Sequence, residues 1–442
     1  MKRVGIVGAG LAGLTAAVLL SEAGFSVTLM EQAKTLGGRI RRIVPKNGYE
    51  PVDWGRHLML GAYKHTLQLI DRLGSAALLS PIYESTPFVT SDGERHPYRV
   101  ADLPAPLHTV PGLLHLTQLS LADRLRLGLP VLAAKIGTRL APDAMDEVPA
   151  REWLLNCRQS AAAMRDFWEP LTLAALNTPP AEASSLMLGT VLAQGFFAGR
   201  AAAVPLLAMT TLHDLFVEPA VALLAKRNVR IVTGFRATGF STDSEGLIRV
   251  ACAKDRGKDF DYVVSAVPPW SLKNIACGAG CPGLPTEILS RFAPSPICSI
   301  ELWYDRPWMR YPYACLLGVK SQWVFGHGGG AGKDFRVSVV ISGSYYDRQS
   351  NAELSESVIR EVEAYFPESR GAKLLDRLVI RERAATFASV TGLQKYRPGA
   401  KAGGNFFLAG DWTATGLPAT IEGAVKSGFT AAEAVLSAAQ GV

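Results

Sequence analysis

Apolar positions fall into two patterns along the chain. Near the N-terminus Val4-Gly5-Ile6-Val7 reads as an apolar strand. An apolar stretch of helical length follows over 11–23 and is stopped by Gly24, and Ser26–Met30 reads as a second strand. Strand-like runs recur at 229–240, 248–253 and 261–267 with turn residues between them. They recur again at 297–304, 322–325 and Phe335–Ser342, before a helix near 351–366. Residues 405–408 make a last strand, and Pro418 opens a helix whose Ser427, Gly428, Ala431 and Ala432 are small enough to pack tightly. By contrast, 81–217 is mostly helical, rich in Leu and Ala and poor in charge. Strands alternating with helices at both ends predict an α/β chain.

The turn after the first strand carries the first candidate chemistry. In Gly8-Ala9-Gly10-Leu11-Ala12-Gly13, Gly8 permits the tight turn and Gly10 lets backbone approach a pyrophosphate. Gly13 allows the helix to sit close to the sheet, and the helix aims its free N–H groups at phosphate. Glu31 ends the second strand 18 positions after Gly13. A carboxylate there accepts from both ribose hydroxyls and repels a 2′-phosphate, which disfavours NADP. Strand, glycines, helix, strand and acid in this order point to an adenine dinucleotide.

Two further segments distinguish the dinucleotide. Leu36-Gly37-Gly38-Arg39 resembles the segment after the second strand in the amine oxidase and phytoene desaturase flavoprotein superfamily. That resemblance implies that Gly38 runs beside a flavin and that Arg39 neutralises pyrophosphate charge. Residues 405–411 end in Gly410-Asp411, and Thr420-Ile421-Glu422 stands at the start of the last helix. This pair resembles the superfamily's C-terminal flavin motif, which implies that Asp411 binds the ribityl chain or pyrophosphate. It also implies that the helix N-terminus faces the flavin ring and stabilises the reduced anion. FAD is the cofactor expected. Ala12, Gln32, Gly55, Arg56 and Ala237 complete the expected binding set.

Composition narrows the classes. The chain has 442 residues, enough for two domains, and its 48% hydrophobic and 19% charged residues describe a packed globular protein rather than a disordered one. Net charge is +7, but Lys and Arg are scattered rather than gathered in a stripe. Nucleic acid is therefore not expected as a partner, whereas attraction to an anionic membrane surface is. Of six cysteines only Cys277 and Cys281 are close, with no further ligand pair, so no metal is expected. Free thiols, and a start that runs directly into a strand, suggest a cytoplasmic protein. The span 171–217 carries only Glu182, Arg200 and Asp214 as charges but is interrupted by proline and glycine. It is expected to form buried or pocket-lining helices rather than a membrane span.

The expected architecture is a Rossmann-like FAD-binding domain of the two-dinucleotide-binding-domain type, with an inserted α+β substrate domain. The FAD-binding domain is assigned discontinuously to 1–80, 218–275 and 388–442. The substrate domain takes 81–217 and 276–387, the first part being apolar and helical.

End to end, the chain resembles the bacterial hydroxysqualene dehydroxylases. The run from Asp53 to Tyr63, the Leu176-Asn177-Thr178-Pro179-Pro180 segment, the stretch from Phe196 to Phe216 and the one from Leu408 to Ser427 carry the likeness. Trp54 and Arg56 depart from it, standing where small polar residues are usual. The resemblance implies that reduced FAD removes a hydroxyl from hydroxysqualene, a thirty-carbon isoprenoid, to give squalene in hopanoid synthesis, downstream of squalene- or phytoene-synthase-like enzymes. Such chemistry needs a proton donor, a hydride source and walls that keep water from a cation. His57 is the candidate proton donor, with Asp53 as orienting or charge-stabilising partner, and the apolar helices are the candidate walls. His57 as a residue fixing its own turn, and Asp53 as a turn cap, remain open. Thr386 and Phe387 are read as lining residues, and Trp412 as ring neighbour or core. A carotenoid-type desaturase is the competing enzyme, ahead of an amine oxidase, which wants an aromatic cage. A prenyl-lipid carrier on a degenerate flavin fold is the competing non-enzyme, and the intact Gly8, Gly10, Gly13, Glu31 and Asp411 argue against it.

Overall fold

The computed structural model describes every residue except 254, 280–281, 328–333, 344–347 and 442, with backbone alone for 196, 255–256 and 276–279. The Cys277 and Cys281 side chains, considered above as metal ligands, lie outside the described residues.

Strand β1 (Arg3–Val7), helix α1 (Leu11–Glu22) and strand β2 (Ser26–Met30) form the expected unit. It sits in a six-stranded sheet whose order is Arg230–Val232, β2, β1, Tyr262–Ser265, Phe406–Leu408, Lys401–Gly403. The first five strands run parallel and the last is antiparallel. Val7 aligns with Met30 on one side and Ser265 on the other, so the strands end together. In an open parallel sheet, the crevice outside such strand ends is where ligands bind.

Helix α1 is apolar nearly all round because it is covered on both sides. The sheet lies on one side and the C-terminal helix (Ile421–Gln440) on the other. A Cβ at Gly428 would stand 2.6 Å from both the Ala12 carbonyl oxygen and the Thr15 Cβ, so only glycine lets the two helices come this close. Gly13 is constrained in the same way, since its Cβ would lie 1.9 Å from the Gly8 carbonyl oxygen.

The predicted strand 229–240 is two strands in different sheets. Gly234, at φ +69°, turns the chain after Arg230–Val232. Its N–H donates to the Ala33 carbonyl while that of Phe235 donates to the Glu31 carbonyl. The chain then enters a three-stranded antiparallel sheet of Ala237–Thr242, Ile248–Cys252 and Asp255–Phe260. The last helix begins at Ile421, later than Pro418, because the Thr420 side chain caps it by accepting from Gly423 N.

A second large sheet has seven strands in the order Leu374–Phe387, Pro294–Tyr304, Phe335–Ser342, Trp323–His327, Tyr313–Leu316, Thr86–Val89, Arg95–Tyr98. Helix Asn351–Tyr365, started by a capping box of Ser350 and Glu353, covers it with Leu354, Val358 and Val362. The helices of 110–197 bury their inner faces in a core with Phe88, Cys315 and Leu317. Of residues 204–217, expected with the substrate domain, most buried apolar side chains join the core around α1, whereas Leu207 packs with Tyr313, Phe325 and Val340 of the second sheet. Pro205–Ala208 pairs with Met59–Leu60 and Leu79–Pro81, and Leu212, Leu215, Phe216 and Val217 join the α1 core. No helix among the described residues is long and apolar enough to cross a membrane.

The helix contact gives a first prediction. Gly428→Val should lower unfolding stability by about 1–3 kcal/mol or more through overpacking, read as a shifted urea midpoint, whereas Gly195→Ala should not lower it, because that helical glycine has no positive φ and no atom lies within 4 Å of a Cβ there.

Candidate active site

A cavity of about 530 Å³ opens at the C-terminal ends of the parallel strands. Two helices present their N-termini to it. Gly10, Leu11 and Ala12 of the α1 start line one part, and Thr420, Ile421 and Ala424 of the C-terminal helix line another. No side chain caps α1 at Gly10, so its first N–H groups remain available to a ligand. A Cβ on Gly10 would meet nothing within 4 Å, which marks open space over that backbone. Converging helix N-termini form an anion site.

Charged groups complete the cradle. Glu31 is buried, its carboxylate accepting from Ala9 N and Ala33 N at 2.9 Å each. Arg39 grips Asp411 through both terminal nitrogens, at 2.8 and 2.9 Å, and donates to the Ala385 carbonyl at 2.7 Å. Burial pulls the Arg39 pKa down, but Asp411 beside it outweighs this and leaves it raised. The guanidinium therefore stays cationic at the cavity wall. Trp54 lies over the Arg41 guanidinium, 3.8 Å from ring centroid to carbon, and both line the cavity. The Trp54 Nε1–H is buried without an acceptor among the described residues.

The loop after Asp411 is shaped by Arg397, which the sequence reading passed over. Its buried guanidinium donates to the carbonyls of Asp411, Thr413 and Leu417 and to the Thr415 hydroxyl, at 2.6 to 2.9 Å. Burial pushes its pKa down to about 10, still far above neutrality. Asn177 holds the opposite wall. It sits at φ +46° and donates to the Pro296 carbonyl and to the hydroxyl of Thr386, a cavity residue, while its own amide oxygen accepts from Gly343 N. The neighbouring Thr178 hydroxyl accepts from Ser389 N. The Asn-Thr-Pro-Pro segment is thus a clasp behind the cavity wall.

Comparison with known proteins fits this geometry. The family described as flavin containing amine oxidoreductase matches residues 11–436. The chain belongs to that family. Hydroxysqualene dehydroxylase of Sinorhizobium fredii is 32% identical over 446 residues, covering 99% of each chain. The more distant 15-cis-phytoene desaturase of Synechococcus elongatus is 24% identical over 98% of this chain and 96% of its own. Among solved structures, a putrescine oxidase triple mutant superposes with a TM-score of 0.78 at 19% identity, covering 99% of both chains, and so shares the fold. This flavin oxidoreductase is accordingly an FAD-dependent enzyme with a Rossmann-type cofactor fold. The twin helix N-termini, the Glu31 carboxylate and the uncapped Gly10 backbone suit a dinucleotide's ribose and pyrophosphate.

Most expected cofactor residues line the cavity: Gly8, Gly10, Ala12, Glu31, Gln32, Gly38 and Arg39 from the N-terminal half, then Gly55, Ala237, Gly410, Asp411, Thr420 and Ile421. Gly13, Arg56 and Glu422 do not. Gly13 acts through packing. The Glu422 carboxylate faces α2 (Lys64–Leu73), where it accepts from His65 N, Thr66 N and the Thr66 hydroxyl and so caps that helix. Arg56 turns away to donate to the Ala208 carbonyl at 2.7 Å. Thr386 and Trp412 line the cavity, Trp412 being also fully buried core, whereas Phe387 is core alone. No described residue of 81–217 lines it; the helices of 110–197 turn their apolar inner faces into a core of their own.

The expected Asp53–His57 pair is not formed. His57 lines the cavity, but its Nδ1 lies 2.6 Å from the Gly55 carbonyl oxygen. A carbonyl only accepts, so Nδ1 carries the ring proton. Burial, together with Arg39 and Arg56, holds the ring pKa below its ordinary value. A neutral ring of this tautomer offers a lone pair at Nε2, whereas the expected donor role needs Nε2 protonated as well. Asp53 instead accepts from Leu212 N at 2.7 Å and lies 3.6 Å from Arg56. Burial raises its pKa to about 6 despite Arg56.

Two predictions follow from these charges. Arg39→Ala should weaken FAD binding by roughly tenfold or more, as expected for loss of a charge-assisted contact, measured by flavin fluorescence titration of the apoprotein. Asp53 in the folded chain keeps a proton between about pH 4 and 6 that the unfolded chain has released, so its contribution to stability falls as pH rises through that window and is level above it. Relative to Asp53→Asn, wild type should lose about 2–3 kcal/mol between pH 4 and pH 7. Parallel urea curves for the two proteins across that range would refute the shift.

Proposed function

We propose that this flavin oxidoreductase converts hydroxysqualene to squalene, within hopanoid or other triterpenoid synthesis and downstream of a squalene- or phytoene-synthase-like enzyme. The observation that carries the reading is the full-length likeness to the Sinorhizobium fredii hydroxysqualene dehydroxylase, at an identity well above that to the phytoene desaturase. Hydroxysqualene, anionic reduced FAD and one proton taken from solvent together give squalene, water and oxidised FAD, the cofactor supplying the hydride that replaces the hydroxyl.

The chain's own residues divide the work. The α1 and C-terminal helix N-termini, with Arg39, hold the dinucleotide. Ile40, Trp54, Ile297 and Ala384 give the cavity an apolar wall suited to a hydrocarbon chain and hostile to water. Asp411, held by Arg39 and by the Arg397-shaped loop, anchors the cofactor side. His57, neutral and protonated at Nδ1, accepts the hydrogen bond of the substrate hydroxyl at Nε2 and so orients it. In this role His57 is not the acid.

Anaerobic photoreduction followed by hydroxysqualene addition tests the reaction. Return of the oxidised flavin band together with squalene in the lipid extract is expected. A band that stays bleached with no squalene formed overturns the assignment and makes oxidation of a polyene by the oxidised enzyme the next assay. For His57 the discriminating pair is His57→Gln and His57→Ala. An acceptor role predicts that the glutamine variant keeps kcat/KM within about tenfold of wild type while alanine loses roughly ten- to a hundredfold. An acid role predicts similar losses of about 10²- to 10⁴-fold in both.

A further inference from the structure

The least explained surface of the molecule is the outer face of two consecutive helices, Leu121–Arg126 and Gly128–Leu140. Leu127 between them keeps right-handed helical angles, so the side chains continue in one register. Leu121, Leu125, Leu129, Leu132, Ile136 and Leu140 recur every three or four residues, and all are between 40% and 80% exposed. That spacing puts them on one stripe. The stripe is not a frayed edge. The opposite face, with Val131 and Ala134, is buried, and the helix is seated so closely on Ser185–Phe197 that a Cβ on Gly189 would stand 3.2 Å from Thr138 and 3.5 Å from Ala134. The adjoining helix Val110–Leu114 packs on Leu121–Arg126 and adds exposed Val110 and Leu114.

A soluble surface rarely carries so long a run of exposed aliphatic residues without a partner. The charges identify the partner. Between 103 and 141 the cations are Arg124, Arg126, Lys135 and Arg139, and the single acid is Asp123. Asp123 is buried and held inward by the Ser120 hydroxyl at 2.6 Å. Arg126, Lys135 and Arg139 are exposed beside the leucines. An apolar stripe flanked by cations is the signature of a helix that lies in a bilayer interface. A second copy fits worse, because a twofold contact would set this stripe's cations against themselves.

We infer that the outer face of helices Leu121–Arg126 and Gly128–Leu140 docks on an anionic lipid bilayer, with the leucines in the acyl boundary and the basic residues among the headgroups. The face differs from the 171–217 span singled out in the sequence, whose apolar residues are largely taken up by internal cores. It adds a partner to the proposed function but is read without turnover, so the two can fail separately.

Co-sedimentation of the flavin-loaded full chain with phosphatidylcholine vesicles, with and without phosphatidylglycerol, is the test. Binding to the anionic vesicles, weakened by salt, is expected. Leu125→Gln with Ile136→Gln should weaken it by at least about tenfold, and Arg126→Gln with Arg139→Gln by about fivefold for each charge. All six stripe residues, and Arg126 and Arg139 beside them, are exposed in this fold, so flavin absorbance and the unfolding midpoint should stay at wild-type values. Failure of the wild type to sediment with anionic vesicles, or equal binding by the Leu125→Gln, Ile136→Gln variant, overturns the inference. So does a dimer in sedimentation velocity that this variant dissolves, since the stripe would then be a contact between copies.

Discussion

The close approach of α1 to the C-terminal helix is the constraint on which the site depends. Gly428 against the Ala12 carbonyl allows it, and Gly13 against the Gly8 carbonyl seats α1 on its turn. This packing brings two helix N-termini to one cavity, that of α1 without a side-chain cap and that of the C-terminal helix capped at the Gly423 N–H alone by Thr420. Residues some 410 positions apart thereby share a single field of partial positive charge. An anionic cofactor satisfies that field, and a thicker side chain at either glycine would separate its two halves.

Around this field the molecule places groups whose charge does not depend on solvent. Arg39 and Asp411 neutralise one another in a bidentate pair, while Arg397 is consumed by the carbonyls of the 411–417 loop rather than by an acid. A guanidinium is suited to that second task because it offers five donors in a plane and does not lose its proton. The result is a loop held next to the cofactor side of the cavity by these hydrogen bonds together with the buried Trp412, which packs edge-on against Phe292.

How far this was legible in the sequence depended on the distance of each residue's partners. The β1–α1–β2 unit was plain because turn, helix and acid interact within some thirty residues, and the Arg39 and Asp411 segments were found because each is a local motif. Arg397 and the Asn177 clasp were not read for what they do, since their partners are backbone groups that only the tertiary fold supplies. Glu422 was given to the cofactor because of its place in a motif, yet its oxygens cap α2, some 356 residues earlier in the chain. The stripe from Leu121 to Leu140 has clear helical period. Period alone does not say whether an apolar face meets protein or something else, so it was read as cavity wall.

The cavity segment 54–57 shows the same dependence on distant support in its sharpest form. Behind it, Arg336 donates to His327 Nδ1 at 2.9 Å, which leaves His327 Nε2–H to donate to the Ser338 hydroxyl at 2.7 Å, and that hydroxyl donates to Glu301 at 2.6 Å. An arginine at one end can only donate and a carboxylate at the other can only accept, so the direction of every bond is determined and His327 is neutral. Burial and Arg336 both hold its pKa well down, in agreement with that direction. Arg336 also lies 3.6 Å from Glu301, and Asp53 and Arg56 add a second opposite pair. Two cations and two carboxylates buried together are net neutral, which limits the cost of desolvating them. One of these cations also acts on the cavity, since Arg56, with Arg39, is among the groups that lower the His57 pKa. Arg56 therefore does more than brace the loop: together with burial it favours the neutral ring at the point where the proposed substrate hydroxyl would sit.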